Sequence, residues 1–527
     1  GNGYLEGKHY IVTWALGHLV TLADPEAYDD IYKNWKLEDL PMLPKPLKLV
    51  VMKKTGKQFQ AVKQQLSRND VKEVVIATDA GREGELVARW ILDKVRVKKP
   101  IKRLWISSVT DKAIKDGFQQ LKSGKAFEGL YASAVARAEA DWYVGLNATR
   151  ALTTKYNAQL SSGRVQTPTL AMIKVREDAI KSFQPKTYYG IKANFTNGLT
   201  FTWYDQSTNS NRSFSKEKVE NKIAEIEGKP FVIQSVEKKH KKSYAPKLYN
   251  LTDLQRDANR IFGFSGKQTL SIMQRLYEQH KVLTYPRTDS NYISTDIVPT
   301  LKERLNACGV GEYQKLTQPL RNKPIKGHKG FVDNGKVSDH HAIIPTEQPV
   351  RLDELNNQER KIYDLAVRRF LAVLYPPFEY EEVQITAKSR NELFVAKGSK
   401  VIQQGWKQVF KHSENDDIEE QKIPNLREGE SITNVNLALT KGETKPPDRF
   451  TEGTLLQAME NPVKFMDQEN SKLVKTIRET GGIGTVATRA DIIEKLLNTQ
   501  LMEKKGKYLY TTLKGRQLLE LVPEELK

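Results

Sequence analysis

The sequence predicts a multidomain α/β protein in which a parallel α/β domain is joined to a β-rich domain and to helical domains. Its 527 residues are too many for one hydrophobic core, so about three or four domains are expected. Short apolar runs alternate with helical patterns through roughly the first 120 residues, which is typical of a parallel sheet. Further on, two strand-rich segments flank a long helical block.

The composition narrows the class of protein. Apolar residues make up 39% of the chain, and no apolar run approaches the roughly 18 residues of a membrane span. The single cysteine, Cys308, excludes a disulfide framework or a cysteine zinc site and favours a reducing compartment, the cytoplasm. A net charge of +20 favours a polyanionic partner, most often nucleic acid, although a generic basic protein would show the same excess.

The α/β pattern is built from short elements. Residues 9–16 are predicted to form a buried strand, 49–52 another strand, and 56–68 a helix. Residues 74–79 form a continuous apolar run that ends in an acid, as expected of a central parallel strand, and 83–95 is the helix that follows it.

Two carboxylates mark the end of this strand. Asp79 and Glu83 lie at the edge where open α/β sheets bind ligands, and they could converge on a hard cation such as Mg²⁺, with Glu85 as a third ligand. Alternatively, Asp79 caps the helix and Glu83 complements its dipole. The spacing alone does not separate these interpretations.

A helical pattern from about 131 to 154 carries Arg137 and Asp141 at the spacing of an ordinary surface ion pair. The loop after it combines small residues with an arginine and an amide, which suits a phosphate backbone. Its residues are Ser161, Ser162, Gly163, Arg164, Val165 and Gln166.

The two strand-rich segments are predicted to form one β domain that the chain leaves and re-enters. The block between them, 247–376, is mostly helical and contains Lys281-Val-Leu-Thr-Tyr-Pro-Arg-Thr-Asp-Ser290. There, the Tyr285 phenol could attack a phosphodiester while Arg287 holds the phosphate. Taken in isolation, the decapeptide is more often a tyrosine–proline turn with a surface arginine.

Three other stretches are ambiguous. His340 and His341 have no cysteine or third histidine nearby, so a phosphate or structural role is favoured over a metal site. The glycine-rich stretch 481–491 could bind an anion but lacks the Gly-Lys-Ser/Thr of a P-loop, and no ATP site is found. The acidic segment 413–421 is predicted to be a mobile surface loop.

Together these motifs resemble those of the type IA DNA topoisomerases. Ala77-Thr-Asp-Ala-Gly-Arg-Glu-Gly-Glu85 resembles their acidic Toprim motif, 161–166 their DNA-contacting loop, and Leu283-Thr-Tyr-Pro-Arg-Thr-Asp-Ser290 their tyrosine motif. Residues 263–270, 340–345 and 484–489 also match in type and order. The matches cover essentially the whole chain and are nearest to the bacterial topoisomerase III group.

The resemblance implies a toroidal architecture. A Toprim domain would span 1–120, a helical DNA-binding domain 121–184 plus 446–527, a β-rich arch or gate domain 185–246 plus 377–445, and a helical domain with the tyrosine 247–376. The closed ring comes from the resemblance, since the residue pattern predicts only a chain that goes out and returns.

The resemblance also implies an ATP-independent isomerase that cleaves one strand of single-stranded DNA through a 5′-phosphotyrosine, passes a strand through the break and religates. Tyr285 would be the nucleophile, with Arg287 and Glu83 as catalytic partners and Asp79 and Glu83 as Mg²⁺ ligands. The implied DNA-binding residues are the 161–166 loop, Trp35, Arg137, Asp141, Trp142, Arg150, His340 and Arg489. For Trp142, a place in the core is the favoured alternative.

The implied partners are single-stranded DNA and supercoiled or catenated DNA, with a helicase or a single-strand-binding protein as a further candidate. A monomer acting at the bacterial nucleoid, without membrane association, is expected. Two alternatives stay open. A Toprim nuclease or primase would leave free 5′ ends, and a single-strand-binding protein would bind without cleaving.

This sequence departs from the family pattern at two places. Gly81 occupies the position of the usual second Toprim aspartate, so the metal site would depend on Asp79 and Glu83. The family's Glu-Lys-Pro-Ser strand is absent, which predicts a chain truncated at its N-terminus that binds DNA but cleaves or religates it poorly. The C-terminus is likewise expected to stop early, at Lys527.

Overall fold

The computed structural model describes residues 2–411, 421–466 and 471–527. Residues 413–420 of the predicted acidic loop lie outside the described residues. Within the described ranges, no helix combines the length and the apolar character needed to cross a bilayer.

In these ranges the helices are α1 (Gly56–Leu66), α2 (Arg82–Val95), α3 (Asp111–Gln119), α4 (Glu128–Tyr156), α5 (Gln166–Ser182), α6 (Lys216–Ile226), α7 (Leu251–Phe262), α8 (Gly266–Glu278), α9 (Leu301–Cys308), α10 (Gln314–Arg321), α11 (Asn357–Leu374), α12 (Glu452–Glu460), α13 (Ser471–Glu479), α14 (Arg489–Asn498) and α15 (Leu513–Leu521). The strands are β1 (Tyr4–Glu6), β2 (Ile11–Thr13), β3 (Val20–Leu22), β4 (Leu49–Val51), β5 (Val74–Ile76), β6 (Ile101–Arg103), β7 (Lys122–Ser123), β8 (Thr187–Asn194), β9 (Thr200–Tyr204), β10 (Phe231–Ser243), β11 (Phe378–Ser389), β12 (Glu392–Gln403), β13 (Ser431–Ile432), β14 (Asn436–Glu443), β15 (Met502–Lys505) and β16 (Tyr508–Thr511).

The parallel pair β5–β6 carries the first part of the site. Val74 lies opposite Ile101, and β7 adds an antiparallel strand on the far side of β6. The apolar stripe of α2 buries Ala88 and Leu92 against Ile76. The predicted parallel strand is confirmed, but among the described residues β5 lies at the edge of a three-stranded sheet and not at its centre.

The prediction of a buried strand at 9–16 is wrong. Only residues 11–13 are extended, and they pair with β1 in an antiparallel hairpin. Tyr10 and Leu16 are 58% and 62% exposed. A two-stranded hairpin buries a face only where a second layer covers it. Helix α1 contacts the hairpin, with Gln58 donating to the carbonyls of Gly3 and Trp14, but this contact leaves Tyr10 and Leu16 exposed.

A helical unit is assembled from two distant parts of the chain. Helices α4 and α5 share one hydrophobic core with α12, α14, α15 and the β15–β16 hairpin. Leu170 and Ile173 of α5 lie in this core beside Leu455 and Leu509, all of them essentially without exposed surface. The start of α5, where the 161–166 loop ends, is therefore fixed against the C-terminal segment.

The two strand-rich segments pair in one seven-stranded sheet of order β13-β10-β11-β12-β9-β8-β14, as their pattern predicts. Strands β10 and β11 are antiparallel along almost their full length, from Val232 opposite Lys388 to Ser243 opposite Phe378. The sheet has its own core, which includes Trp203 and Phe394.

The helical block extends from the far end of β10 and β11. Helices α7, α8, α9 and α11 surround a core of their own, with Leu276, Leu305 and Phe370 among its buried members. The block then returns to the rest of the chain at two places. It contacts residues 79–112 beside β5 and β6, and Gly266 at the start of α8 donates its N–H to Glu452 of α12 at 2.8 Å. The path of the chain is therefore closed into a ring.

Candidate active site

The turn between β5 and α2 presents the two predicted carboxylates at one edge. Thr78 donates its hydroxyl to the carbonyl of Gly84 at 2.8 Å, which folds the first turn of α2 back over Asp79. A Cβ atom at Gly84 would lie 1.7 Å from the Asp79 carbonyl oxygen, so only glycine permits this approach. Asp79 and Glu83 are therefore held on neighbouring turns of backbone.

Arg103, at the end of β6, holds this turn from behind. Its side chain is fully buried and donates to the carbonyls of Thr78 and Asp79, each at 2.7 Å. It also forms an ion pair with Glu85, whose second oxygen accepts from Arg89 at 3.2 Å. Both carboxylate oxygens of Glu85 are thus occupied in the interior, and the prediction of Glu85 as a third metal ligand is wrong. Two positions beyond Glu83 on a helix, it faces the opposite way.

The tyrosine segment is held by the stretch that carries the paired histidines. Thr284 N–H donates to Ile344 O at 3.0 Å, and Leu283 forms an antiparallel bridge with Pro345. Tyr285 then crosses to the other part of the chain, because its N–H donates to Ser107 O, just beyond β6, at 2.8 Å. Its side chain is only 6% exposed.

His340 bridges the same two parts of the chain. Its Nε2 contacts the carbonyl of Ala80, Nδ1 lies 2.8 Å from the Ser107 hydroxyl, and its ring centroid is 4.3 Å from that of Tyr285. Burial lowers the pKa of His340 to about 4, so the imidazole is neutral near pH 7. A neutral ring has one N–H, which must serve the carbonyl, so Ser107 donates its hydroxyl proton to Nδ1.

Burial and the neighbouring carboxylate keep the Tyr285 phenol protonated. Burial raises the pKa of Tyr285, the charge of Asp79 and a hydrogen bond to it raise it further, and Arg287 opposes them. Burial also raises the pKa of Asp79, against the influence of Arg287 and Arg103. The Asp79 carboxylate, whose proton affinity is raised, therefore lies beside the Tyr285 hydroxyl. That hydroxyl must lose its proton before its oxygen can act as a nucleophile.

Glu83 has the opposite environment. Its contact with His18 is the main cause that lowers the pKa of Glu83, and Arg287 lowers it further. Its side chain is 56% exposed. No group of three or more potential metal-ligating side chains occurs in the described part of the chain. The residues present still fit Mg²⁺, which is commonly bound by one or two carboxylates together with substrate phosphates.

A group of buried arginines, several of which act on one another, begins beside Asp79 with Arg287. Arg287 Nε and an Arg137 Nη1 atom are buried without a hydrogen-bond partner in the described ranges. Burial lowers the pKa of Arg137, and the nearby charges of Arg82 and Arg164 lower it further. Arg489 belongs to the same group, since the charge of Arg137 acts on it, although Glu460 and Asp289 partly compensate its charge. Buried guanidinium groups that repel one another are stabilised by an anion between them.

The 161–166 loop is braced from within. Ser162 Oγ lies 3.0 Å from Thr167 Oγ1, and Gln166 Nε2 donates to Ser161 O at 3.4 Å. Ser162 and Gln166 are buried, so they shape the loop and Arg164 is its exposed charge. Arg164 takes the partner predicted for Arg137, because its Nε donates to Asp141 at 3.0 Å.

The second glycine-rich stretch lies against this loop. A Cβ atom at Gly484 would lie 3.2 Å from a methyl group of Val165. Arg489 is 3% exposed and donates to the carbonyls of Ile483 and Gly481 at 3.0 and 2.5 Å, so it shapes the stretch that carries it.

The predicted aromatic contacts divide into two kinds. Trp142 is buried and donates its indole N–H to Ala23 O at 2.9 Å, so it is a core residue in this structure. Arg150 is also buried and donates to Tyr32 O, while its guanidinium lies 5.0 Å from the ring centroid of Trp35. Trp35 itself is 45% exposed and offers a ring face or edge to a ligand.

Sequence reasoning missed His18, Arg82, Arg103 and Ser107. Ser107 follows a strand parallel to β5, and the carboxyl ends of parallel strands meet at one edge, so its position could have been predicted. Arg82 lies inside the acidic motif and could also have been considered. Nothing in the sequence signals the pairing of His18 with Glu83 or the burial of Arg103.

The chain matches family models, sequences and a solved structure of known proteins. A family model described as "DNA topoisomerase" matches residues 125–527, and a Toprim domain model matches residues 2–109. The chain is 63% identical over 532 residues to DNA topoisomerase 3 of Bacillus thuringiensis (strain Al Hakam), and 61% identical over 531 residues to that of Bacillus subtilis (strain 168). Each match covers 100% of this chain and 73% of the relative. The crystal structure of full-length topoisomerase I from Thermotoga maritima superposes with a TM-score of 0.72 at 26% identity, covering 98% of this chain and 79% of the other.

Proposed function

The chain belongs to the type IA DNA topoisomerase family, close to topoisomerase III, and on that premise we propose which of its residues perform the reaction. Enzymes of this family cleave one strand of single-stranded DNA through a 5′-phosphotyrosine, pass a strand through the break and reseal it without ATP. The observation that carries the assignment is the placement of the Tyr285 hydroxyl beside Asp79, across the contact that closes the ring.

We assign the nucleophile to Tyr285. Its phenolic oxygen forms the new bond to phosphorus and Asp79 accepts the phenol proton. The bond to the 3′-oxygen breaks, and that oxygen takes a proton from water and leaves as the 3′-hydroxyl. The raised pKa of Asp79 supports this role, because a carboxylate with greater proton affinity is a better base for a phenol. The bond energy is kept in the ester, so resealing needs no other energy source.

Arg287 is proposed to hold the attacked phosphate. It lies two positions beyond Tyr285, and its Nε–H has no partner among the described residues. Charge develops on the phosphoryl oxygens in the transition state, and a positioned guanidinium stabilises it. Arg82, Arg137, Arg164 and Arg489 would bind neighbouring phosphates.

Mg²⁺ is proposed to bind Asp79 and Glu83. When bound, it would neutralise phosphate charge and align the 3′ end for resealing. Glu83 is suited to this role because its carboxylate is ionised and accessible. Asp79 would then serve both the phenol and the cation.

The remaining assignments concern the path of the DNA and the domains. We propose that the bound DNA strand runs along the 161–166 loop, Asp141, His340 and Arg489, with Trp35 and Arg150 as an aromatic–cation pair at the edge of this path.

The proposed domains are Toprim (1–120), the split helical domain (121–184 and 446–527), the split arch (185–246 and 377–445) and the tyrosine domain (247–376). We further propose a monomer of the bacterial cytoplasm that acts with a helicase or a single-strand-binding protein.

The experiment is a denaturing gel of a labelled single-stranded oligonucleotide with the full-length protein and with Tyr285→Phe. We expect label to migrate with the wild-type protein in the presence of Mg²⁺, and no label to migrate with the variant. Label that still migrates with Tyr285→Phe would refute the assignment. Free 5′ ends without an adduct would indicate a Toprim nuclease, and binding without cleavage a single-strand-binding protein.

A further inference from the structure

A surface outside the proposed cleft combines tyrosine rings with cations. In the β15–β16 hairpin, Lys505 lies opposite Tyr508 and Glu503 opposite Tyr510. Residues opposite one another share a face of a hairpin, so these four side chains lie together. The chain at 449–451 runs beside β16, with Leu509 N–H donating to Phe450 O at 2.8 Å. We call the surface formed by Arg449, Glu503, Lys505, Lys507, Tyr508 and Tyr510 the hairpin face.

The cations of the hairpin face are held by the rings. The Arg449 guanidinium and the Lys505 ammonium lie 4.7 and 5.1 Å from the centroid of Tyr510. Lys507 lies 5.3 Å from the centroid of Tyr508. Cation–π contacts of this kind fix the position of a charge without neutralising it.

Little negative charge balances them. Glu503 lies 3.4 Å from Lys505, but both side chains are largely exposed, so this pair contributes little. Within the described ranges Arg449 and Lys507 have no ion-pair partner. Two cations held over the same ring repel each other, and an anion between them would relieve that repulsion.

The hairpin face is fixed relative to the proposed DNA loop. Glu177 of α5 accepts hydrogen bonds from the Thr511 N–H at 2.6 Å and from its hydroxyl at 2.8 Å. Helix α5 begins at Gln166, the last residue of the 161–166 loop. Eleven residues of helix separate Gln166 from Glu177, which is about 17 Å at 1.5 Å per residue. That distance is about five phosphate spacings of a DNA strand at 3.4 Å each.

We propose that the hairpin face is an accessory site for the phosphate backbone of the DNA strand where it continues beyond the cleft. The proposal rests on the proposed function, because it requires a strand in the cleft at the 161–166 loop. The guanidinium and ammonium groups would donate to phosphate oxygens, and the exposed parts of the two rings would contact unpaired bases. None of these contacts reads base identity, so the face would lengthen the binding site on any sequence.

The test compares Arg449→Ala/Lys505→Ala/Lys507→Ala with a matched control, Lys192→Ala/Lys216→Ala/Lys229→Ala. The control removes the same charge from exposed positions on β8, on α6 and in the loop between α6 and β10. Binding is measured over a range of salt concentrations for a labelled single-stranded oligonucleotide of about 8 nucleotides and for two of about 25 nucleotides. One of the longer oligonucleotides extends the short one at its 5′ end, and the other extends it at its 3′ end. For the long oligonucleotide, the hairpin variant should bind about tenfold more weakly than wild type, with a log–log salt slope about two units shallower. Its affinity for the short oligonucleotide, and both affinities of the control variant, should match wild type.

The proposal would be overturned if the affinity of the hairpin variant depended on oligonucleotide length and on salt as the affinity of wild type does. It would also be overturned if the control variant lost as much affinity for the long oligonucleotide as the hairpin variant. Adduct formation on the short oligonucleotide reports the proposed function separately and should be unchanged in the hairpin variant. If the wild-type protein forms no adduct, the proposed nucleophile fails, while the length comparison still decides the role of the hairpin face.

Discussion

Asp79 and Glu83 are four positions apart, yet the structure gives them opposite proton affinities. Burial raises the pKa of Asp79, whereas contact with His18 lowers that of Glu83. The motif identifies both residues as acids, but it does not report burial or a partner 65 positions away in the chain. The residue types of the site were predictable from the sequence, and their protonation states were not.

Glu85 shows a different limit. Its acidity and its closeness in sequence to Asp79 and Glu83 suggest a shared metal site, but helical geometry turns it into the interior. There it pairs with Arg89 and Arg103 and supports the turn that holds Asp79. The helical spacing itself, which places Glu85 on the opposite side of α2 from Glu83, argues against a shared metal site.

His340 gives a prediction about pH. Its pKa is about 4 in the folded protein, below the ordinary value of 6.5, so between these values the unfolded chain binds more protons. Its contribution to the free energy of unfolding is therefore complete above about pH 6.5 and is lost as the pH falls towards 4. Relative to His340→Gln, wild type should lose about 1–2 kcal/mol between pH 7 and pH 5.

Denaturant unfolding of both proteins at the two pH values measures this difference. Glutamine does not titrate, so the comparison isolates His340 from the other groups of the protein. A difference between the two proteins that is the same at pH 7 and pH 5 would show that the imidazole is not held neutral in the contact.

Among the elements, the turn from β5 into α2 restricts the amino-acid sequence most clearly, because it requires glycine at position 84. Gly84→Ala places a methyl group where the Asp79 carbonyl lies, so α2 must move away from the strand. We expect a loss of about 1–3 kcal/mol in the free energy of unfolding, together with weaker adduct formation, because Asp79 and Glu83 are displaced. Denaturant unfolding and the labelled-oligonucleotide gel measure the two effects.

The same turn supplies the control. A Cβ atom at Gly81 would meet nothing within 4 Å, and its backbone is extended, so Gly81→Ala should change stability by no more than about 0.5 kcal/mol. Equal losses in the two variants would mean that loss of glycine flexibility, and not the close approach to Asp79, limits this turn.

Other elements show why local patterns fall short. The apolar run at 9–16 has the composition of a buried strand, but burial depends on a second layer that a local pattern does not report. The basic run on β10 contributes to the net positive charge that favours a DNA partner.

In the structure this run lies beside acidic side chains of β11 and forms ion pairs with them. Lys241 pairs with Glu382 at 3.0 Å, and Lys242 pairs with Glu379 at 3.5 Å. The location of free positive charge could not be predicted from composition.

At the scale of the whole molecule, the closed ring depends on a polar joint. Ser107, Ala80 and Trp105 on one side meet Tyr285, His340 and Asp339 on the other through hydrogen bonds and ring contacts. The hydrophobic cores of the two parts share no residue. A joint of this kind can separate without exposing a core, which suits a ring that must open to admit a strand. The residue pattern predicts that the chain leaves the β domain, forms the helical block and returns to the β domain. Only the family resemblance predicts where the ring closes.

Tyr285 is the proposed point of covalent attachment to DNA, and it lies at this joint. The most direct measurement is mass spectrometry of peptides from the full-length protein trapped on an oligonucleotide with Mg²⁺. Trypsin cleaves after Lys281 and Arg287, so Tyr285 lies in a six-residue peptide, Val-Leu-Thr-Tyr-Pro-Arg. We predict that this peptide alone carries a nucleotide, joined to the tyrosine through a 5′-phosphate. A nucleotide on any other peptide, or cleaved DNA with no modified peptide, would contradict the account.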